Sequence, residues 1–181
     1  MKRIIIVAAL CIGFTNAQAQ KYMTRTGKVT FFSSTPIENI QAVNNEAGAV
    51  MDSKTGDFVF QLAIKSFKFE KALMQEHFNE NYMESNKYPK AEYKGKVTDI
   101  ASVNFAKDGA YKVNTTGKLT IHGVTRDVTI PATVTVKGNS ATVNTKFNVK
   151  PADHKIKIPA VVEGKIAKEI EVTVNSILDK K

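Results

Sequence analysis

Apolar residues recur at every second position in stretch after stretch of this chain, and that period of two limits the possible folds more than any other feature. Phe58, Phe60, Leu62 and Ile64 form one stripe, and Tyr111, Val113, Leu119 and Ile121 a second. Val128, Ile130, Ala132, Val134 and Val136 form a third, Ala141, Val143, Phe147 and Val149 a fourth, and Ile170, Val172 and Val174 a fifth. Lys, Asn, Thr, Asp and Glu stand between them. Successive side chains on a strand point to opposite faces, so each strand has one apolar and one wetted face. Many such strands bury their apolar faces by curling around a common interior. The class is therefore all-β, and the functional question is what fills that interior.

The turns set the pairing. Gly138-Asn139 suits a two-residue hairpin loop, which places Val136 opposite Ala141, Val134 opposite Val143 and Ile130 opposite Phe147. Lys107-Asp108-Gly109 suits a three-residue loop with a left-handed Gly, pairing Phe105 with Tyr111 and Val103 with Val113. A two-residue loop there would set Val103 against Asn114, which a one-sided sheet rejects. A third tight connection falls at His122-Gly123. Three hairpins with matched faces give an antiparallel meander, and closing it removes its edges.

The first strand is expected over 27–34, broken by Thr35-Pro36. Asn44-Asn45-Glu46 marks a turn inside 37–51, and Lys54-Thr55-Gly56-Asp57 a turn before the next strand. A final strand over 166–178 pairs with the first and closes a barrel of about eight strands. Residues 69–84 depart from the pattern. Leu73, Met74, Phe78 and Tyr82 share one side at helical spacing, with Glu and Asn opposite. Tyr88-Pro89 ends that helix, because proline forces the preceding residue into extended geometry. A long connection containing one short helix therefore lies across the sheet or its open end.

Residues 1–19 read as an export signal. Lys2 and Arg3 precede a short apolar run, too short to span a bilayer, and Ala17-Gln18-Ala19 fits the small-x-small cleavage pattern. The mature chain, 20–181, is then one domain of ample size for a core, exported to the periplasm or secreted. Cys11, the only cysteine of the chain, leaves with the signal. No disulfide, thiol nucleophile or thiolate metal site is then expected. Loss of Lys2 and Arg3 takes the net charge from +9 to +7. The lysines are scattered along solvent-facing positions, with no basic run interleaved with aromatics, so nucleic acid is not an expected partner. Weak contact with an anionic membrane surface fits the charge.

The stretch 74–95, Met-Gln-Glu-His-Phe-Asn-Glu-Asn-Tyr-Met-Glu-Ser-Asn-Lys-Tyr-Pro-Lys-Ala-Glu-Tyr-Lys-Gly, resembles the signature region of the YceI-like family. So does 117–128, Gly-Lys-Leu-Thr-Ile-His-Gly-Val-Thr-Arg-Asp-Val. The resemblance runs from about Gly27 to the C-terminus. It implies an exported, lipocalin-like antiparallel barrel that holds a polyisoprenoid or similar amphiphilic lipid. Residues 35–45 depart from the family's usual Gly-x-Phe pattern after the first strand.

Chemistry has little to work with. His77, His122 and His154 show no close metal-ligand spacing, and no nucleophile elbow or phosphate loop is present. No catalytic residue, metal or cofactor is expected. His122 falls on the polar phase beside a turn and reads as a solvated or turn-bonding histidine, and His154 as a loop residue. His77 projects between Leu73 and Phe78. It is either a partly buried histidine bonded to backbone or a polar anchor for a ligand headgroup. Arg126 lies on the inward phase of Val124, Val128 and Ile130, and an unpaired buried charge is costly. It must pair, reach the rim, or meet an anionic headgroup.

The expected function is non-catalytic binding of an apolar or amphiphilic molecule. The expected lining is Phe58, Phe60, Leu62, Tyr111, Val113, Ile130, Val134 and Phe147, with Met74, His77, Phe78, Tyr82 and Arg126 towards the mouth. The alternative is a structural or stress-related interaction protein whose barrel is filled by its own side chains.

Overall fold

The structure is a computed structural model that describes residues 20–181. The expected export signal, its cleavage point and Cys11 lie outside the described residues. Nine strands form one antiparallel sheet: β1 (Lys21–Ser34), β2 (Asn39–Asp52), β3 (Asp57–Ala63), β4 (Lys68–Phe69), β5 (Lys90–Val97), β6 (Gly109–Ile121), β7 (Val124–Lys137), β8 (Ser140–Val149) and β9 (Ile170–Lys180). The order is β1-β9-β8-β7-β6-β5-β3-β2, and β1 also pairs with β2. Eight long strands thus close into a barrel. β4 is a two-residue ribbon on the outer half of β2, opposite Ala42 and Val43. Closure comes from the last strand pairing with the first, as the sequence predicts: β9 pairs with β1 from Tyr22–Lys180 to Phe32–Glu171.

Turn chemistry decides the registers. Val136 pairs with Ala141 and Val134 with Val143 around Gly138-Asn139. Gly138 has φ +56°, and Asn139 is not left-handed, so only the first central position carries the positive φ of a II′ loop. This ladder ends at Ala132–Thr145, so Ile130 and Phe147 face the interior without pairing directly. Ile121 pairs with Val124 around His122-Gly123. Both loop residues are left-handed, φ +51° and +72°, as a I′ turn demands.

Three expectations fail for physical reasons. The first strand starts at Lys21, because its N-terminal half pairs with both β2 and β9. Asn44-Asn45-Glu46 is no turn: β2 runs through it. The β1–β2 register shifts on either side of the Gly27–Ala47 pair, and the buried Asn44 side chain takes up the irregularity. Its Nδ2 donates to the Ala63 carbonyl (3.0 Å), and its Oδ1 accepts from the Glu46 N–H (2.8 Å). Lys107-Asp108-Gly109 joins no hairpin. Residues 98–108 form an irregular connection with one 3-10 turn (Ile100–Ser102), while β6 pairs instead with β5 and β7. Val103 and Phe105 leave the sheet to plug the barrel end, Phe105 against Tyr22 at 5.2 Å between ring centres.

The predicted helix is shorter than its pattern. α1 spans Ala72–His77 and widens into a π-helical turn, Phe78–Tyr82. It sits at the end of the barrel formed by the 34–39, 63–90, 121–124 and 149–170 connections. The opposite end carries the 52–57, 97–109 and 137–140 connections together with both described termini.

Candidate ligand cavity

The inward faces fill the two halves of the barrel differently. Near the terminal end Tyr22, Met51, Val97, Val134, Val136, Ala141 and Leu178 are almost completely buried against one another. Interiors pack to crystal-like density where side chains meet this way. Towards the helix end the walls stay apart and leave a cavity of about 550 Å³. An eight-stranded barrel is wide enough for either outcome. Small inward residues, Ala91 on β5 and Ala132 on β7, help to keep the upper half hollow.

Aromatic rings make much of the lining. Phe58 and Phe60 of β3 stack 6.3 Å apart. Phe31 lies 5.4 Å from both Phe67 and Phe78 and 5.5 Å from Phe69, and Phe78 lies 5.0 Å from Phe69. These four rings fasten α1 over one side of the opening. The other side is formed by residues 151–166, whose Ile156, Ile158 and Val162 turn inward. Polar groups are few. The Tyr93 hydroxyl donates to Thr115 Oγ1 (2.8 Å), which donates to the Ile130 carbonyl (3.1 Å). Burial pushes the Tyr93 phenol up from its ordinary value, with the Thr115 bond acting the other way, so it stays neutral in the wall. The charged side chains of the lining are Glu38, Lys71, Glu92 of β5 and Lys165, with His77 beside them.

Of the residues named from the sequence, Phe58, Phe60, Leu62, Met74, His77, Phe78, Tyr82, Ile130 and Phe147 border the cavity. Tyr111, Val113, Val134 and Arg126 do not. Val113 and Val134 share the inward phase but sit lower, in the packed half. The Tyr111 hydroxyl donates to the Asn104 and Lys107 carbonyls at the plugged end (3.3 and 3.2 Å). Arg126 reaches the rim, where its Nε donates to the Asp153 carbonyl at 2.9 Å. Period two tells inside from outside but not height along the axis. Phe31, Phe67 and Phe69 were missed, although Phe67 and Phe69 carry the same alternation just before the helix.

His122 stands in its turn but is buried rather than solvated, and His154, in the β8–β9 connection as expected, is buried too. His122 Nδ1 donates to the His154 carbonyl (3.1 Å), and its Nε2 lies 2.8 Å from Glu84 Oε2. His154 Nδ1 donates to the Val124 carbonyl (3.1 Å), and the Tyr88 ring packs on His122 at 4.4 Å. His77 is exposed on α1.

A closed antiparallel barrel with one end plugged and an apolar chamber at the other defines a lipocalin-like architecture. The chain matches the YceI-like domain over residues 11–177 and belongs to the YceI-like family. Among solved structures it is similar to a polyisoprenoid-binding domain from Saccharophagus degradans, at 15% identity and TM-score 0.76, covering 89% of this chain and 98% of that one. It is similar to Burkholderia cenocepacia BcnA, at 19% identity and TM-score 0.69 over 84% and 95% of the two chains. It also resembles a Campylobacter jejuni YCEI protein, at 17% identity and TM-score 0.58 over 100% and 99%. At these identities the likeness is one of fold. None of the curated proteins matches the sequence.

Proposed function

We propose that the chain is an exported, non-catalytic binding protein that holds a polyisoprenoid or similar amphiphilic lipid in the barrel, as a carrier or by sequestration. The observation that carries this reading is the apolar cavity of about 550 Å³. Its size falls within the roughly 300–1,000 Å³ typical of small-molecule sites. A hollow upper half also speaks against the alternative of a barrel filled by its own side chains. A dozen buried carbons would contribute about 10 kcal/mol at about 0.8 kcal/mol per CH2-sized group. Association itself costs about 4–15 kcal/mol, so affinity depends on how much of the chain is enclosed. Membership of the YceI-like family and likeness to a polyisoprenoid-binding domain support the ligand class.

The test is native mass spectrometry of protein expressed with residues 1–19 and purified without detergent. The expected result is a mature chain beginning at Gln20 that carries an extra mass, extractable as an isoprenoid-type lipid. Protein that is always ligand-free, and that takes up no prenyl alcohol or prenyl quinone when offered, would exclude the carrier reading.

A further inference from the structure

Ile37, Leu73 and Val161 are exposed at 67%, 61% and 89%. All three belong to connections at the open end: the 34–39 turn, the first turn of α1, and the 3-10 segment Ala160–Lys165. They form one arc. The Lys71–Glu38 ion pair, at 3.5 Å, joins the start of α1 to the 34–39 turn. The Ile37 side chain lies against Gly164, close enough that a Cβ there would meet its Cδ1 at 3.2 Å. The other exposed large apolar residues, Val50, Val59 and Ile177, stand on the barrel strands.

The same arc is basic. Residues 34–39, 68–73 and 155–168 hold six lysines, Lys68, Lys71, Lys155, Lys157, Lys165 and Lys168, against Glu38, Glu70 and Glu163. All six lysines are exposed, and of these six only Lys71 has an ion-pair partner among the described residues. Separate apolar tips fringed by lysines present no groove for a shaped partner. They match a soft surface with an apolar interior and an anionic face. Lysine stems are themselves apolar and carry the charge outward to headgroup level.

We propose that this arc docks the open end onto a bilayer containing anionic lipid, with Ile37, Leu73 and Val161 inserted among the headgroups, so that the cavity mouth opens into the membrane. This rests on the reading of the cavity as an amphiphile site and extends it: a water-insoluble guest passes between bilayer and barrel without crossing water.

The experiment is co-sedimentation of the purified protein with vesicles of phosphatidylglycerol mixed with phosphatidylcholine, and with vesicles of phosphatidylcholine alone. Wild type is expected to bind the anionic vesicles and to lose about tenfold or more in partitioning at high salt. The double variant Leu73→Asp/Val161→Asp is expected to lose a similar factor. The pair Lys157→Glu/Lys168→Glu is expected to lose the anionic preference. Thermal unfolding verifies that these exposed changes leave the barrel intact, and native mass spectrometry reads the bound guest separately. Wild type that carries lipid but ignores anionic vesicles at low salt overturns the docking while the cavity reading stands. Wild type that binds vesicles through the arc but never carries lipid supports the docking and removes the cavity reading. Equal vesicle binding by wild type and the double aspartate variant overturns the proposal. So does a dimer in light scattering that this variant abolishes, with no vesicle binding, since a second copy would then be the occupant.

Discussion

His122 Nε2 stands 2.8 Å from Glu84 Oε2 while the same ring donates from Nδ1 to the His154 carbonyl at 3.1 Å, so one buried side chain fastens both lips of the cavity. Glu84 lies just beyond the π-helical turn, and His154 ends the 3-10 turn Pro151–His154 that follows β8. Replacing His122 with Ala leaves a buried carbonyl without its donor and empties the space beneath Tyr88. The expected loss is about 1–3 kcal/mol, the usual consequence of unpairing a buried polar group. Urea unfolding measures it, and hydrogen exchange should show faster opening at residues 151–155. An unchanged midpoint and exchange pattern would contradict the clasp.

Gly95 and Gly117 are direct partners on β5 and β6. A Cβ on Gly117 would strike the Lys94 carbonyl and the Gly95 Cα, which are backbone and cannot swing aside. Gly117→Ala is therefore expected to destabilise by at least the about 1–3 kcal/mol of an overpacked interior. Gly48→Ala is the control. Its Cβ would meet nothing nearer than 3.8 Å, and a shorter list of unfolded conformations favours it by up to about 1 kcal/mol. Denaturant midpoints of the two variants should move in opposite directions.

Phe78 holds the helix over the opening through Phe31, Phe67 and Phe69, at 5.4, 5.7 and 5.0 Å. Phe78→Ala is expected to lose somewhat less than the about 3–5 kcal/mol of a fully buried Phe→Ala, because the ring is only half-buried. Limited proteolysis should then cut within 70–88 sooner than in the wild type. Resistance equal to wild type would show that other contacts hold α1.

Ala132 borders the cavity, so Ala132→Trp should fill part of it. The expected outcome is loss of most co-purifying lipid, with little change in thermal midpoint. Undiminished lipid on the variant would locate the guest elsewhere.

Tyr22 and Tyr93 have phenols raised by burial above their ordinary value of 10.0. Between that value and the raised one the unfolded chain has released protons that the folded chain keeps. Folding stability is therefore full below about pH 10 and falls as the pH climbs through the raised values. Tyr93→Phe should flatten part of that alkaline slope in urea titrations. An identical slope in the variant would assign the loss to other groups.

The strands, the closing pair and the two tight hairpins were legible because each depends on local alternation and turn residues. The His122-Gly123 turn needs two left-handed residues in succession, and its neighbours alternate on both sides. The Lys107-Asp108-Gly109 hairpin was equally well formed as a local pattern but lost to competition. β5 supplies β6 with a full partner strand from Glu92–Thr120 to Val97–Thr115, and Val103 and Phe105 gain more by plugging the barrel end. Asn44-Asn45-Glu46 failed likewise, because the Ala63 carbonyl offers the Asn44 amide a partner 19 residues away.

Sequence alone determined which face of each strand turns inward, since alternation is a property of the extended backbone itself. Tertiary structure alone decided which inward residues meet and which stand apart. Val134 and Ile130 share one stripe on one strand, yet Val134 lies in the packed floor and Ile130 borders the chamber. Their difference is height along the barrel axis, which follows from strand tilt, from Val103 and Phe105 stopping one end, and from α1 roofing the other. No single strand encodes that height, because it belongs to the closed sheet.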